Sequence, residues 1–324
     1  MDFELSEQQQ EIKRVAHELL AERQPFSKVR AAAEAGRYDE QLAKELQELG
    51  WIGIAVPEEQ GGQGLGVVEL AVLAEELGYA CAAVPFLGSA AVAAELAASQ
   101  TTFPFLADLA AGKVAAAFGP PELLVDGGVA QVAVLLSGEE ATLIEQPRLS
   151  PVQTVDQTRS YASYGGGNET PLGEGSGARV RIALAAEVLG LCQRALEMTV
   201  SYVKDRKQFD RPVGSFQAVA HRAAEMFRHT ESLRSAVYYA AWAADAEPAL
   251  VEEAANLAAA AAVEAGREVT AAAIQLHGGI GFTWEADLHW LYKRAQLDGA
   301  VLGPASRYHA ALARQAANRL AAVG

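Results

Sequence analysis

Tyr202-Val203-Lys204-Asp205-Arg206-Lys207-Gln208-Phe209-Asp210-Arg211-Pro212-Val213-Gly214-Ser215-Phe216-Gln217 joins two long apolar stripes. Upstream, Val180, Leu184, Val188, Leu191, Ala195, Met198 and Tyr202 recur every three or four residues; downstream, Phe216, Val219, Ala223, Met226, Thr230, Leu233, Val237 and Ala240 do the same. That period marks helices with one buried face, and their length makes them members of a helical bundle. The junction carries Lys204, Arg206, Lys207 and Arg211 around Phe209, in a chain of 26 basic and 41 acidic residues whose formal charge is −15. Two uses fit this local excess of positive charge. A guanidinium holds a pyrophosphate through paired hydrogen bonds while Phe209 packs on an adenine or ribose face. Equally, Lys and Arg in a last helical turn favour the helix dipole.

Beyond these helices the pattern predicts a third from about Ala249 to Gln275, a fourth from about Ala286 to Val301 and a last one after Pro304. Between the third and the fourth lies Gln275-Leu276-His277-Gly278-Gly279-Ile280-Gly281-Phe282-Thr283. Its glycines either let backbone approach a ligand closely or simply end a helix. His277 reads as a packed or capping side chain rather than a base.

Upstream, the first hundred residues are helical. Ser6 and Gln9 form a capping box ahead of Ile12, Val15, Ala16, Leu19 and Leu20. A second helix carries Leu42, Leu46 and Leu49 and stops at Gly50; a third carries Leu70, Leu73, Ala74 and Leu77 and stops at Gly78. Pro57 to Gly64 is a loop. Residues 77–94 are uncharged, but Pro85 and two glycines favour helix, turn and helix over a membrane span. From residue 112 short apolar runs, Val114–Phe118, Leu123–Val125, Val129–Leu136 and Ala141–Ile144, alternate with Pro120-Pro121, Gly127-Gly128 and Gly138-Glu139-Glu140, which predicts about four strands. The prolines and glycines of 146–177 predict a loop or a poorly ordered edge. The organisation is therefore mainly α: a helical domain over 1–111, a small β-region with a glycine-rich loop over 112–177, and a four-helix bundle over 178–324.

At 324 residues the chain is long enough for about two ordinary domains. Its negative charge opposes nucleic acid and anionic membrane surfaces as partners. Cys81 and Cys192, the two cysteines, sit in apolar surroundings as buried thiols of a reducing compartment. Met1-Asp2-Phe3-Glu4 lacks the features of a signal peptide, so the expected location is cytoplasmic. There is no metal-ligand spacing of Cys and His, no Gly-x-Ser-x-Gly and no phosphate-loop sequence to support metal or serine chemistry.

Taken together, Pro57-Glu58-Glu59-Gln60-Gly61-Gly62, Arg206-Lys207-Gln208-Phe209 and Gln275-Leu276-His277-Gly278-Gly279-Ile280-Gly281 resemble, in order and spacing, the Pro-Glu-Glu-x-Gly-Gly, Arg-x-x-Phe and Gln-x-x-Gly-Gly-x-Gly segments of the acyl-CoA dehydrogenase family. The resemblance covers residues 1 to about 110 and 178–324. It implies FAD at a subunit interface, with the two C-terminal motifs reaching across to the pyrophosphate and adenine half of a neighbour's cofactor. The residues carried over are Arg206, Phe209, Gln217, Gln275, Gly278 and Gly279.

The departures from the family are as informative. The middle region is about half the family's length and lacks its Glu-Pro-x-x-Gly-Ser-Asp and Trp-Ile-Ser/Thr stretches, which grip the flavin ring; Phe118-Gly119-Pro120-Pro121-Glu122 stands in place of the first. Family members abstract the substrate α-proton with a Glu at one of two positions. Here these are Leu302 before Gly303 and Val180 before Arg181, neither of which accepts a proton. The pattern resembles the short, non-catalytic subunit of heteromeric α2β2 dehydrogenases of steroid side-chain degradation. It implies a full-length partner subunit that holds the acyl-CoA. The rivals are a self-sufficient homotetramer using Glu187 or Asp298 as base, and a flavin-free structural subunit.

Overall fold

Ser6 opens the first helix as its sequence requires: its hydroxyl accepts from the Gln9 amide at 3.2 Å, and the Gln9 side chain accepts from the Ser6 amide at 2.9 Å. In this computed structural model, which describes residues 4–99, 101–138 and 140–323, α1 then spans Glu7–Arg23. Met1-Asp2-Phe3 and Glu139, used above, lie outside the described residues. α2 (Phe26–Ala35) is a helix the sequence reading passed over, since it has only two buried side chains, Val29 and Ala33. α3 (Glu40–Glu48) is capped by Asp39 and followed by Gly50 at φ 71°. α4 (Val67–Tyr79) and α5 (Leu87–Ala97) flank Pro85, the helix, turn and helix expected there, and α6 (Leu106–Ala110) completes the region. Among the described residues no helix is long and apolar enough to cross a membrane.

Gly78 has a different task from the one its position suggested. It lies inside α4, and a Cβ on it would stand 2.1 Å from the Glu187 carbonyl oxygen. Opposite, a Cβ on Gly190 would stand 1.9 Å from the Glu75 carbonyl oxygen. The two helices cross backbone to backbone, which only glycines permit.

The β-region is larger than expected. β1 (Ala116–Gly119), β2 (Leu124–Val125), β3 (Val132–Ser137) and β4 (Glu140–Glu145) match the apolar runs, but β5 (Leu149–Val152), β6 (Tyr161–Tyr164) and β7 (Asn168–Glu174) come from the segment read as loop. The seven strands are ordered β5-β6-β2-β1-β3-β4-β7, with β1 and β3 parallel and the remaining neighbours antiparallel. Pro151 and Pro171 had argued against strands; they sit on the two edge strands, where a missing N–H breaks no interior ladder.

The second half is α7 (Ala178–Asp205), a hairpin of β8 (Lys207–Gln208) and β9 (Arg211–Pro212), α8 (Gln217–Ala246), α9 (Val251–His277), α10 (Leu288–Leu302) and α11 (Ala305–Val323). One apolar core runs without interruption from α1 through the inner face of the sheet to Tyr308 in α11. Both cysteines are buried and free within it.

Candidate functional site

Two regions bear on function. The first is the end of the bundle, where α7 gives way to the hairpin. Arg206 caps α7 in extended backbone, and its carbonyl accepts from the Val213 amide at 2.8 Å, folding the chain back on itself. Lys207 pairs with Pro212 and Gln208 with Arg211, leaving Phe209 and Asp210 as the turn, both at positive φ, 53° and 62°. A two-residue hairpin turn of this type demands positive φ, and a Phe resists it. The Phe209 ring is nonetheless 86% exposed, touching Phe216 edge-on at 6.1 Å, while the Arg211 guanidinium lies 4.0 Å from the Phe216 ring centre. An exposed aromatic held in a costly backbone conformation is the mark of a functional constraint. Lys204, Arg206 and Lys207 are exposed, with no carboxylate partner among the described residues. Gln217, the first residue of α8, is exposed beside them.

The glycine segment lies against this end. Gln275 is exposed in the last turn of α9, and Gly278 follows the helix at φ 62° and ψ −140°, a conformation for glycine alone. A Cβ on Gly278 or Gly279 would meet nothing within 4 Å, so the backbone here is bare; Gly281 packs inward, where a Cβ would stand 2.3 Å from the Ile274 carbonyl oxygen. The two segments meet through an aromatic stack, Tyr202 on His277, with ring centres 4.3 Å apart and planes 20° apart. All six residues carried over from the resemblance thus lie on two segments brought together at one end of the molecule.

The second region is the interior between α7 and α10. Val180 and Leu302 are buried, and the Leu302 carbonyl accepts from the Tyr308 hydroxyl at 2.5 Å and from Arg307 at 2.8 Å. Between the two helices lies a lattice of buried charges. One Glu187 carboxylate oxygen accepts from both Arg159 and Arg294. Arg159 also donates to Asp298 at 3.1 Å and lies 3.7 Å from Asp126, which in turn accepts from the Tyr38 hydroxyl at 2.5 Å and the Gly88 amide at 2.8 Å. Arg294 donates to Asp156 at 3.3 Å, to the Ala82 carbonyl at 2.9 Å and to Thr158. Every charged side chain in it is at most 3% exposed.

Four carboxyl groups face two guanidiniums, so protons must balance the lattice. Burial, and then the Glu187 charge, hold the Asp298 carboxyl well above the usual carboxylate range, and burial raises Asp126. Asp298 therefore holds its proton more tightly than an exposed carboxyl, and one of its oxygens is engaged by Arg159. Glu187, the other alternative acid, is an ion-pair partner sealed in the interior, not a group facing a ligand. A cleft of about 890 Å³ between the end of α2 and the β5–β6 segment reaches the edge of the lattice, with Thr158 and Arg159 in its wall.

Residues 6–113 match the family model for the acyl-CoA dehydrogenase N-terminal domain and residues 178–317 that for the C-terminal domain. The curated acyl-CoA dehydrogenase IpdE2 of Mycolicibacterium smegmatis is 36% identical over 305 residues, covering 93% of this chain and 96% of that protein. The chain belongs to the acyl-CoA dehydrogenase family. IpdE2 of Mycobacterium tuberculosis is 37% identical over 302 residues, covering 91% and 93%. Among solved structures, the Tcur3481-Tcur3483 steroid ACAD G363A variant superposes with a TM-score of 0.86 at 26% identity, covering 97% of this chain and 99% of that one. The ChsE4-ChsE5 complex of Mycobacterium tuberculosis follows at 0.84 and 24%, covering 98% and 99%, a likeness of fold.

Acyl-CoA dehydrogenases depend on FAD. The bundle end fits part of that cofactor: unpaired cations for a pyrophosphate, bare glycine backbone that any Cβ would fill, and an exposed ring for a base or ribose. The interior fits no flavin ring, since charged side chains fill the space between α7 and α10.

Proposed function

We propose that this chain is the short subunit of a heteromeric acyl-CoA dehydrogenase, arranged as an N-terminal helical domain (1–111), a shortened middle region (112–177) and a C-terminal bundle (178–324), which completes the FAD site of a full-length partner while lacking a catalytic base. Bound FAD supplies the hydride acceptor for α,β-dehydrogenation of an acyl-CoA. Arg206, with Lys204 and Lys207 adding to the local positive potential, neutralises the pyrophosphate. The backbone at Gly278 and Gly279 lets the dinucleotide approach, Phe209 covers its adenine side, and the Gln217 and Gln275 amides offer hydrogen bonds at its edges. The partner carries the base, the flavin ring and the acyl-CoA. A bulky steroid-type thioester is the substrate class suggested by the steroid ACAD among the structural neighbours. The expected assembly is α2β2 and cytoplasmic.

The observation that carries this assignment is the contrast between an open, cationic bundle end and an interior in which apolar Val180 and Leu302 stand at the two base positions and Glu187 and Asp298 are buried as partners of Arg159 and Arg294. Co-expression with candidate full-length partners tests it. Half a flavin per chain is expected in the assembly, and Arg206→Ala in this subunit lowers that content. Stable FAD and turnover in the isolated chain would overturn the proposal in favour of a self-sufficient enzyme. FAD content unchanged by Arg206→Ala would favour a flavin-free structural subunit.

A further inference from the structure

The two segments that face the cofactor come from distant parts of the chain, and each is individually exposed. What fixes their separation is the ring pair behind them. Tyr202 stands one turn before Arg206, and its carbonyl accepts from the Arg206 amide at 2.9 Å. His277 immediately precedes Gly278 and is 8% exposed. His277 Nδ1 lies 2.7 Å from the Ala273 carbonyl oxygen, so that nitrogen carries the ring proton. Burial lowers the pKa of the imidazole, which keeps it neutral and suited to stacking. The rings therefore couple the cap of α7 to the end of α9 through a contact with a defined plane and distance.

We propose that Tyr202 and His277 are positioning residues for FAD: their stack sets the spacing between Arg206 and the Gly278-Gly279 backbone so that both engage one dinucleotide. The inference rests on the assignment above and deepens it. Neither ring touches the reacting atoms, so the effect belongs in cofactor affinity and not in the rate of the flavin-loaded site.

The test uses the co-expressed complex and measures the FAD dissociation constant, turnover at saturating FAD, thermal midpoint and assembly mass. Tyr202→Leu is expected to weaken FAD binding by about tenfold, the scale of one lost aromatic pair. Turnover at saturating FAD stays within about twofold of the parent, since the rings act on affinity alone. Tyr202→Phe, which keeps the ring, is expected to keep the parental affinity, and a Tyr202→Leu complex whose thermal midpoint and assembly mass match the parent separates loss of the stack from a generic packing defect. His277→Leu, an apolar side chain at a buried position, probes the same contact from the other side if Tyr202→Leu fails to assemble. Unchanged FAD affinity in an assembled Leu variant, or failure of Tyr202→Phe to keep the parental affinity, overturns the positioning role. Arg206→Ala run in parallel separates the two levels. If it weakens FAD while the ring variants do not, only the positioning role fails; if none weakens FAD, the functional assignment fails as well.

Discussion

Arginine serves opposite ends at the two regions of this molecule. At the bundle end Arg206 is exposed, free of carboxylates and set beside bare backbone. Between α7 and α10, Arg159 and Arg294 are buried and committed to four acids drawn from the sheet region and two helices. A guanidinium exposed to water is free to recruit an anion from outside, whereas one buried among carboxylates is held mainly by them. The comparison sets an exposed, unpaired arginine against two buried, paired ones, and it can be broken or sharpened by substitution.

The largest effect is expected at the centre of the lattice. Arg294→Ala leaves four buried carboxyl groups facing Arg159 alone and the Ala82 carbonyl without its donor, which should cost about 4 kcal/mol or prevent folding. Thermal or denaturant unfolding reads this directly, and a loss below about 1 kcal/mol would show the lattice to be dispensable. Next is Asp298→Asn. Because the native carboxyl binds its proton more tightly than the unfolded one, the wild type loses stability as pH rises above about 4 toward the raised native value, whereas Asn has no proton to lose. The thermal midpoint of the variant relative to wild type should therefore rise with pH above about 4, by the equivalent of about 1.4 kcal/mol for each unit of pKa displacement. A midpoint difference that falls with pH would instead mean an ionised Asp298 paired to Arg159.

At the bundle end the signs change. Phe209→Gly relieves a ring held at φ 53°, and should stabilise the hairpin by about 1 kcal/mol while reducing FAD retention in the complex. Opposite signs for stability and binding would be hard to obtain from a residue that served only packing. Smallest of all is Arg206→Ala, with stability within about 0.5 kcal/mol of wild type by chemical denaturation, because its side chain has no partner among the described residues to lose.

Most of the helices, the cap of α1 and the glycine segment after α9 were legible because their signals are local: a three-to-four residue period, Ser6 with Gln9, and glycines directly after α9; α2, with only Val29 and Ala33 buried, and the place of Gly78 inside α4 were not. The β5–β7 strands were not, since Pro151 and Pro171 carry the usual meaning of a turn and only the sheet order puts them on edges. The lattice was hidden for a stronger reason. Asp126, the Asp156–Arg159 pair, Glu187 and the Arg294–Asp298 pair lie in four separate stretches of the sequence, and nothing local says that they meet. One trace was available in retrospect: Arg294 and Asp298 are four apart on a helix whose neighbours Leu291, Ala295, Val301 and Leu302 are apolar, so that pair had to face the core. Glu187 was noticed for its place on α7, but its role depends on partners that no spacing could reveal.

The Gly78–Gly190 crossing has a mechanical meaning as well. With carbonyl oxygens standing where side chains would begin, α4 and α7 are dovetailed: a slide of one residue would bring a side chain into backbone. The N-terminal helices and the bundle therefore travel as one lever, with no shear plane between them. The hairpin and the glycine turn lie beyond that crossing, at the far end of α7, with the Tyr202–His277 stack tying them to the long arm behind.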